Sequence, residues 1–312
     1  MLRGLNTHTV APKLTAMSRI LVLGARGMMG HKACQLLPTF GHEVFGTLRG
    51  NRDEVDGYSS IYEQTKLIES VDATDDATLD RVIRDVRPDV IFNCVGIIKQ
   101  LPQANNALIS VRLNSYLPHL LAQLAHEHGS RLIHISTDCV FDGERGSFTE
   151  ADHSNARDLY GKSKHLGETT DDETAAVTLR TSIIGRELNQ PGHGLVEWFC
   201  QQDGGQCNGF TRAIYTGFTT IEMVRIVDLV IRHPNLKGMF HVASAAINKY
   251  DLLCLIKRTL DLNITVEQDD QFHCDRSLVM DRFTRETGYA APLWDRMIED
   301  MRNDPTPYDE WR

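Results

Sequence analysis

Tyr160 and Lys164 stand one helical turn apart in the stretch 159–168, Leu-Tyr-Gly-Lys-Ser-Lys-His-Leu-Gly-Glu. On a helix the two side chains share a face. An ammonium beside a phenol favours the phenolate and draws the tyrosine pKa from about 10 toward working pH, which makes a tunable general acid. The spacing alone is weak evidence, because both residue types are common and a solvated helix face looks the same. What decides is whether the rest of the chain builds elements that would position such a pair.

The chain ahead of it does. Residues 19–23 contain the apolar run Ile20-Leu21-Val22-Leu23, followed at once by Gly24-Ala25-Arg26-Gly27-Met28-Met29-Gly30 and a helical pattern to Leu37. Strand, glycine turn and helix in that order are the context in which a glycine motif cradles a dinucleotide. Gly24 permits the tight turn, Gly27 lets the backbone approach a pyrophosphate, and Gly30 lets the helix pack on the strand. Met28 and Met29 open the helix, whose free N–H groups and positive dipole end face the phosphates. The spacing is Gly-x-x-Gly-x-x-Gly rather than Gly-x-Gly-x-x-Gly, so a plain tight turn is the competing reading.

A second strand, 43–48, ends in Thr47-Leu48-Arg49, without the acid that an NAD-specific site uses on the ribose hydroxyls. Arg26 and Arg49 suit a 2′-phosphate instead. NADPH/NADP is therefore the expected cofactor, with NADH left open; the alternative for Arg49 is a solvated loop residue.

A third strand at 67–71 brings Asp72 to its end, to meet an adenine amine or to join Asp75 in capping the helix 77–86. The fourth, 90–94, runs into Val95-Gly96, where glycine again allows close approach to a cofactor. A helix around 108–128 carries Asn114, and Pro118 marks a kink or break in it. The fifth strand, 131–135, leads into Ser136-Thr137-Asp138, and a sixth, 176–184, into Arg180-Thr181-Ser182. This alternation predicts an α/β fold with a doubly wound parallel sheet. Ligands bind at the carboxyl ends of such strands, so Gly24, Asp72, Gly96 and Thr137 should meet on one edge.

After Thr181 the pattern loosens. A Pro/Gly loop covers 189–194, Trp198 lies in 195–201, and 204–220 is glycine-rich. A helix at 220–232 and a strand at 239–243 follow, and the remainder reads as mostly helical. We expect a dinucleotide-binding domain over 18–180, with 218–243 returning to it. A smaller, discontinuous C-terminal substrate-binding region takes 181–217 and 244–312. Residues 1–17 read as a disordered or weakly ordered extension, or as the product of a start codon upstream of Met17.

Composition bounds the function. Of 312 residues, 41% are hydrophobic and 24% charged, which is ordinary for a soluble globular protein. The net charge of −9 argues against general binding to nucleic acid or an anionic membrane, while leaving room for a local basic pocket. No apolar run reaches the ~18 residues of a membrane span. Seven cysteines, an odd number with no Cys-x-x-Cys, read as reduced and mostly buried thiols of a cytoplasmic protein. His126 and His128 fall at a helix end beside Gly129, a solvated end rather than a metal site.

Three motifs in order carry a resemblance. They are the glycine turn 24–30, the run Ser136-Thr137-Asp138-Cys139-Val140-Phe141-Asp142-Gly143, and Tyr160-Gly161-Lys162-Ser163-Lys164 with Gly167-Glu168. Together they resemble the extended short-chain dehydrogenase/reductases, a Rossmann-type family, and within it dTDP-4-dehydrorhamnose reductase and its relatives. The resemblance spans roughly residues 19–301 and is densest up to Gly185. It implies NADPH-dependent reduction of the C4 keto group of a dTDP- or UDP-linked 4-keto-6-deoxy sugar, in deoxysugar and cell-surface polysaccharide biosynthesis. It further implies that Thr137 binds the substrate carbonyl, Tyr160 delivers the proton, Lys164 holds the nicotinamide ribose, and Asn114 supports a proton-relay water. Cys139, Val140 and Phe141 then fall among the substrate contacts. Cys139 departs from the tyrosine common there, and no glutamate follows Asp138 as in the related dehydratases. Lys99, in a stretch that also departs from the family, could reach a substrate diphosphate or be solvated, and Trp198 is a candidate stacking partner. A homodimer is compatible with the resemblance, but no sequence feature specifies one. A 4-epimerase that retains NAD, or a cofactor-binding regulatory subunit without turnover, are the alternatives.

Overall fold

The computed structural model describes residues 17–170, 175–189 and 191–310. The extension expected over 1–17 lies, except for Met17, outside the described residues.

Seven parallel strands form the central sheet: β1 (Arg19–Leu23), β2 (Glu43–Thr47), β3 (Thr65–Ile68), β4 (Val90–Asn93), β5 (Arg131–Thr137), β6 (Ala176–Thr181) and, after three short or outlying strands, β10 (Gly238–His241). Their order is β10-β6-β5-β4-β1-β2-β3. Sequence order reverses between β1 and β4, and at such a switch point the connections diverge and leave a crevice beyond the strand ends. Side-chain alternation builds both faces from single strands. Ile20 and Val22 of β1 enter one apolar cluster, while Leu21 and Leu23 enter the other.

Helices α1 (Met28–Leu36) and α2 (Asp76–Val86) follow β1 and β3. Asp75 caps α2 by accepting from Ala77 N (3.1 Å) and Thr78 N (3.3 Å), as its position predicts. The helix expected around 108–128 is α3 (Ala107–Ser110), a π-helical segment (Val111–Tyr116) and α4 (Leu117–Glu127). Pro118 does not break it. The backbone stays helical from Ser110 through Leu117, because the wide π turn comes just before the proline and absorbs the mismatch. The tyrosine helix is α5 (Leu159–Leu166).

The third strand lies two to three residues earlier than expected. Its pairing with β2 runs from Val44↔Thr65 to Thr47↔Ile68, and the chain then turns at Ser70, whose φ is 56°. Asp72 is thus four residues past the strand end.

The largest difference lies after Thr181. Beyond β7 (Ile183–Ile184) and α6 (Leu195–Cys200), the glycine-rich stretch contains the strand β8 (Gln206–Tyr215). The short β9 (Phe218–Thr219) pairs with β7, and α7 (Thr220–Arg232) follows, with the bounds read from the sequence. Beyond β10 come β11 (Ile247–Asn248), α8 (Lys249–Leu260), β12 (Thr265–Asp275), α9 (Asp281–Thr287) and α10 (Trp294–Arg302). A second sheet, β11-β8-β12, replaces part of the helix expected in the remainder. β12 escaped the periodicity reading because one side of it faces solvent, and Glu267, Asp269, Asp270 and Gln271 mask any apolar alternation.

All seven cysteines are free, but only Cys34 is buried; the other six are half-buried, which corrects the expectation of mostly buried thiols.

Candidate active site

The glycine turn is as tight as the motif requires. Gly24 takes φ 81°, a conformation that L side chains rarely adopt. A Cβ on Gly30 would lie 2.0 Å from the Gly24 carbonyl oxygen, so α1 can pack here only through glycine. Gly27 is the N-cap of α1 and offers no side-chain cap, which leaves the first-turn amides of Met28 and Met29 uncovered by a capping group. A Cβ on Gly24 would reach Val95 Cγ2 at 3.0 Å, so the ends of β1 and β4 adjoin. The sheet brings Gly24, Val95, Gly96 and Thr137 to its carboxyl edge. Asp72 follows Val71, whose N donates to the Leu48 carbonyl just past β2 at 2.9 Å; it is exposed, and its Oδ1 accepts from Thr74 N and Oγ1, both at 2.8 Å.

Arg49 is exposed, but Arg26 Nη1 pairs with Glu54 Oε2 at 2.5 Å and its Nη2 donates to Asn189 Oδ1 at 3.2 Å. Glu54 belongs to the 3-10 helix that follows β2 (Arg52–Ile61).

Two glycines hold the tyrosine helix against its neighbours. A Cβ on Gly161 would lie 2.2 Å from the Cys139 carbonyl oxygen, and one on Gly167 would lie 1.9 Å from that of Asn114. Asp158 caps α5, accepting from Gly161 N at 2.8 Å, and its other oxygen accepts from Lys99 Nζ at 2.6 Å. Lys99 is thus tied to the cap of the tyrosine helix.

Thr137 ends β5. Its Oγ1 accepts from Cys139 N (3.1 Å) and donates to Asp138 Oδ1 (3.2 Å). The Tyr160 pKa moves opposite to the sequence expectation. Burial pushes it up, Cys139, Asp138 and Asp158 add to that, and the neighbouring Thr137 hydroxyl opposes. Lys164 is anchored to the sheet. Its Nζ donates to the Ile135 carbonyl at 2.7 Å, and burial, opposed by Glu168, lowers its pKa to about 8. Tyr160 therefore stands as a protonated donor at neutral pH.

Asn114, in the π segment, spends its amide on structure: Oδ1 accepts from Ile97 N (2.8 Å), and Nδ2 donates to Ile97 O and Ser163 Oγ (3.1 Å each). It fastens the loop after β4 to α5.

Val140 and Phe141 are not substrate contacts through their side chains. Both are fully buried with Phe148, Ala243 and Leu278, and the Phe141 ring stacks on Phe148 at 3.9 Å. Cys139 is half-buried beside them, and burial together with Asp138 raises its thiol to about 12 against the opposing Arg276. Trp198, on α6, is 39% exposed, and its ring neighbour is Phe199 at 6.4 Å.

Several groups around the site were not singled out from the sequence. Glu168 accepts from Arg180 Nε and Nη2 and from Ser136 Oγ, each at 2.7 Å, and meets His165 Nδ1 at 2.8 Å. Burial works to raise its pKa, but these partners outweigh it and hold the carboxylate charged. Just past β12, Arg276 Nε donates to the Phe141 carbonyl (2.7 Å), and at the start of α8 Lys249 Nζ lies 3.9 Å from the centroid of the Tyr215 ring. Burial lowers Lys249 to about 8, against the pull of Asp138, Cys139 and Cys274. Only the position of Glu168, four residues after Lys164, was a usable signal; the others depend on long-range folding.

A doubly wound sheet with this glycine turn, and a tyrosine–lysine helix against the end of β5, define the class of extended short-chain dehydrogenase/reductases. Residues 17–202 match the family described as RmlD substrate binding domain, and the chain belongs to that family. Among curated relatives it is 26% identical over 260 residues to methionine adenosyltransferase 2 subunit beta of Danio rerio, covering 80% of this chain and 76% of that protein. It is likewise 26% identical over 251 residues to a probable dTDP-4,6-dihydroxy-2-methyloxan-3-one 4-ketoreductase of Streptomyces antibioticus, covering 78% and 77%. Among solved structures, the dTDP-4-dehydrorhamnose reductase of Bacillus anthracis in complex with NADP superposes with a TM-score of 0.73 at 18% identity, covering 92% of this chain and 99% of that one, a likeness of fold. Among the described residues no helix is long and apolar enough to cross a membrane.

Proposed function

We propose that this protein reduces the C4 keto group of a nucleotide-activated 4-keto-6-deoxy sugar with a reduced nicotinamide cofactor. The observation that carries the reading is the placement of the tyrosine helix against the end of β5: the Thr137 hydroxyl is near enough to the Tyr160 phenol to bear on its pKa, and Lys164 Nζ, one turn along α5, donates to the Ile135 carbonyl at 2.7 Å. The glycine cradle fits a dinucleotide, since a side chain at Gly30 would collide with the Gly24 carbonyl and the α1 N-terminus has no side-chain cap. Bound there, the cofactor supplies hydride to the carbonyl carbon.

The chain's own residues manage the oxygen. Negative charge develops on it, and Thr137 Oγ1 and Tyr160 Oη form a donor pair that would stabilise that charge. Tyr160 then passes its proton to the oxygen, giving the alcohol and a phenolate. A tyrosine held protonated suits this direction of reaction. Lys164, still largely charged near neutral pH, lies one turn away to stabilise the phenolate. Elimination of water is disfavoured, because the residue after Asp138 is a thiol held protonated rather than a carboxylate base.

The test is cofactor oxidation with a panel of freshly made dTDP- and UDP-linked 4-keto-6-deoxy sugars, with and without a 2-acetamido group. Turnover on one member that Tyr160→Phe abolishes supports the reading and names the base; silence across the panel overturns it. A second reading, a cofactor-binding regulatory subunit without turnover, is favoured by the relative named as a methionine adenosyltransferase subunit. Under that reading Tyr160→Phe leaves the biological activity intact.

A further inference from the structure

Given the cofactor reading above, the Arg26–Glu54 pair bears on which nicotinamide cofactor the pocket selects. At the end of β2, Thr47 is committed to the glycine turn: its Oγ1 accepts from Gly24 N at 3.1 Å and its carbonyl from Ala25 N at 3.0 Å. The 3-10 helix that follows folds back over that turn. Tyr62 Oη donates to the Ala25 carbonyl at 3.0 Å, and Tyr58 Oη donates to the Leu188 carbonyl at 3.2 Å.

This fold-back delivers Glu54 to the strand end. Its Oε1 would lie 2.0 Å from a Cβ on Gly50, three residues past Thr47, and its Oε2 holds Arg26 Nη1 at 2.5 Å. Asn189 takes Nη2, and Arg26 Nε is buried without a partner. A 2′-phosphate entering here must displace Glu54 from Arg26 or lie beside a like charge. A 2′-hydroxyl instead meets a carboxylate acceptor where a ribose-binding acid belongs.

We propose that Glu54 sets cofactor choice by competing with a 2′-phosphate for Arg26 and offering its carboxylate to the ribose hydroxyls, so that the pocket takes NADH as well as NADPH. The full chain would be titrated with NADH and with NADPH, following cofactor fluorescence and adding no sugar. Wild type should bind the two with affinities within about tenfold of each other, and Glu54→Gln should shift the ratio toward NADPH by about tenfold or more, less at high salt. In the double variant Arg26→Gln, Glu54→Gln that shift should disappear, while Glu54→Asp, which keeps the charge, should stay nearer to wild type. A ratio unmoved by Glu54→Gln, with the variant's far-ultraviolet circular dichroism unchanged, overturns the proposal. Wild type binding neither cofactor defeats the cofactor reading itself. Binding without sugar turnover defeats only the reductase and leaves the role of Glu54 standing.

Discussion

Lys164 Nζ donates to the carbonyl oxygen of Ile135 at 2.7 Å, so the lysine one turn from Tyr160 is anchored to the sheet. Its charge is poised by burial at about 8. On the proposed mechanism, loss of that proton removes the cation that would stabilise the Tyr160 phenolate. The rate of ketone reduction should therefore fall as pH rises through about 8, and Lys164→Met should lack that limb altogether. Tyr160→Phe should lower kcat by about 100-fold or more, the usual worth of a general acid, while direct titration still shows cofactor binding.

Glu168 is the buried anion beside that lysine. Glu168→Gln leaves Arg180 buried and short of its carboxylate, which should cost about 3–5 kcal/mol, read as a lower midpoint in urea. Because Glu168 raises the Lys164 pKa, the variant's alkaline limb should move to lower pH. A limb that moves upward instead would contradict the electrostatic link.

Gly161 separates Tyr160 from the turn after Thr137. A methyl group there would lie 2.2 Å from the Cys139 carbonyl, so Gly161→Ala should force α5 away from β5. A shift of about 1 Å at the donor pair is enough to cut kcat by about 100-fold. Gly129→Ala makes the control: its φ is 70°, but a Cβ would meet no atom within 4 Å, so it should cost about 1 kcal/mol with little change in kcat.

Lys99 pairs with the Asp158 cap in an exposed position, a contact worth less than about 1 kcal/mol. Lys99→Ala should leave the melting temperature nearly unchanged. If this lysine also reaches a substrate diphosphate, KM for the sugar nucleotide should rise about tenfold with kcat preserved. An unchanged KM would leave Lys99 with the helix cap alone.

His241 is buried as the neutral ring. Nδ1 lies 3.0 Å from the Phe148 carbonyl, to which it donates, and Nε2 accepts from Arg180 Nη1 at 3.2 Å. Burial, and then Arg180, lower its pKa from 6.5 to about 4. With the folded pKa below the unfolded one, the unfolded chain takes up the proton first as pH falls. Stability from this group is intact above about 6.5 and drains away down to about 4. His241→Gln should be less stable at neutral pH but show a shallower loss across that window in urea titrations.

The sequence by itself determined what depends on near neighbours in the chain. The bounds of β1 and α7 could be read because apolar residues recur at strand and helix periods, and the glycine turn because its steric demands fall within seven residues. The pairing of Tyr160 with Lys164 on one helix face was legible for the same reason. The tertiary structure decided whatever depends on solvent exclusion or on partners distant in the chain. Glu54 reaches Arg26 across 28 positions, and no local pattern announces it. Val140 and Phe141 follow Thr137 closely in sequence, but their side chains pack against Phe148 and Leu278. The small sheet was hidden because β12 turns charged residues to water, and a strand with one solvated side and a bulge carries little apolar rhythm. The direction of the Tyr160 shift belongs here too. Four-residue spacing places an ammonium near a phenol, but burial outweighs it, and burial exists only once the chain has folded.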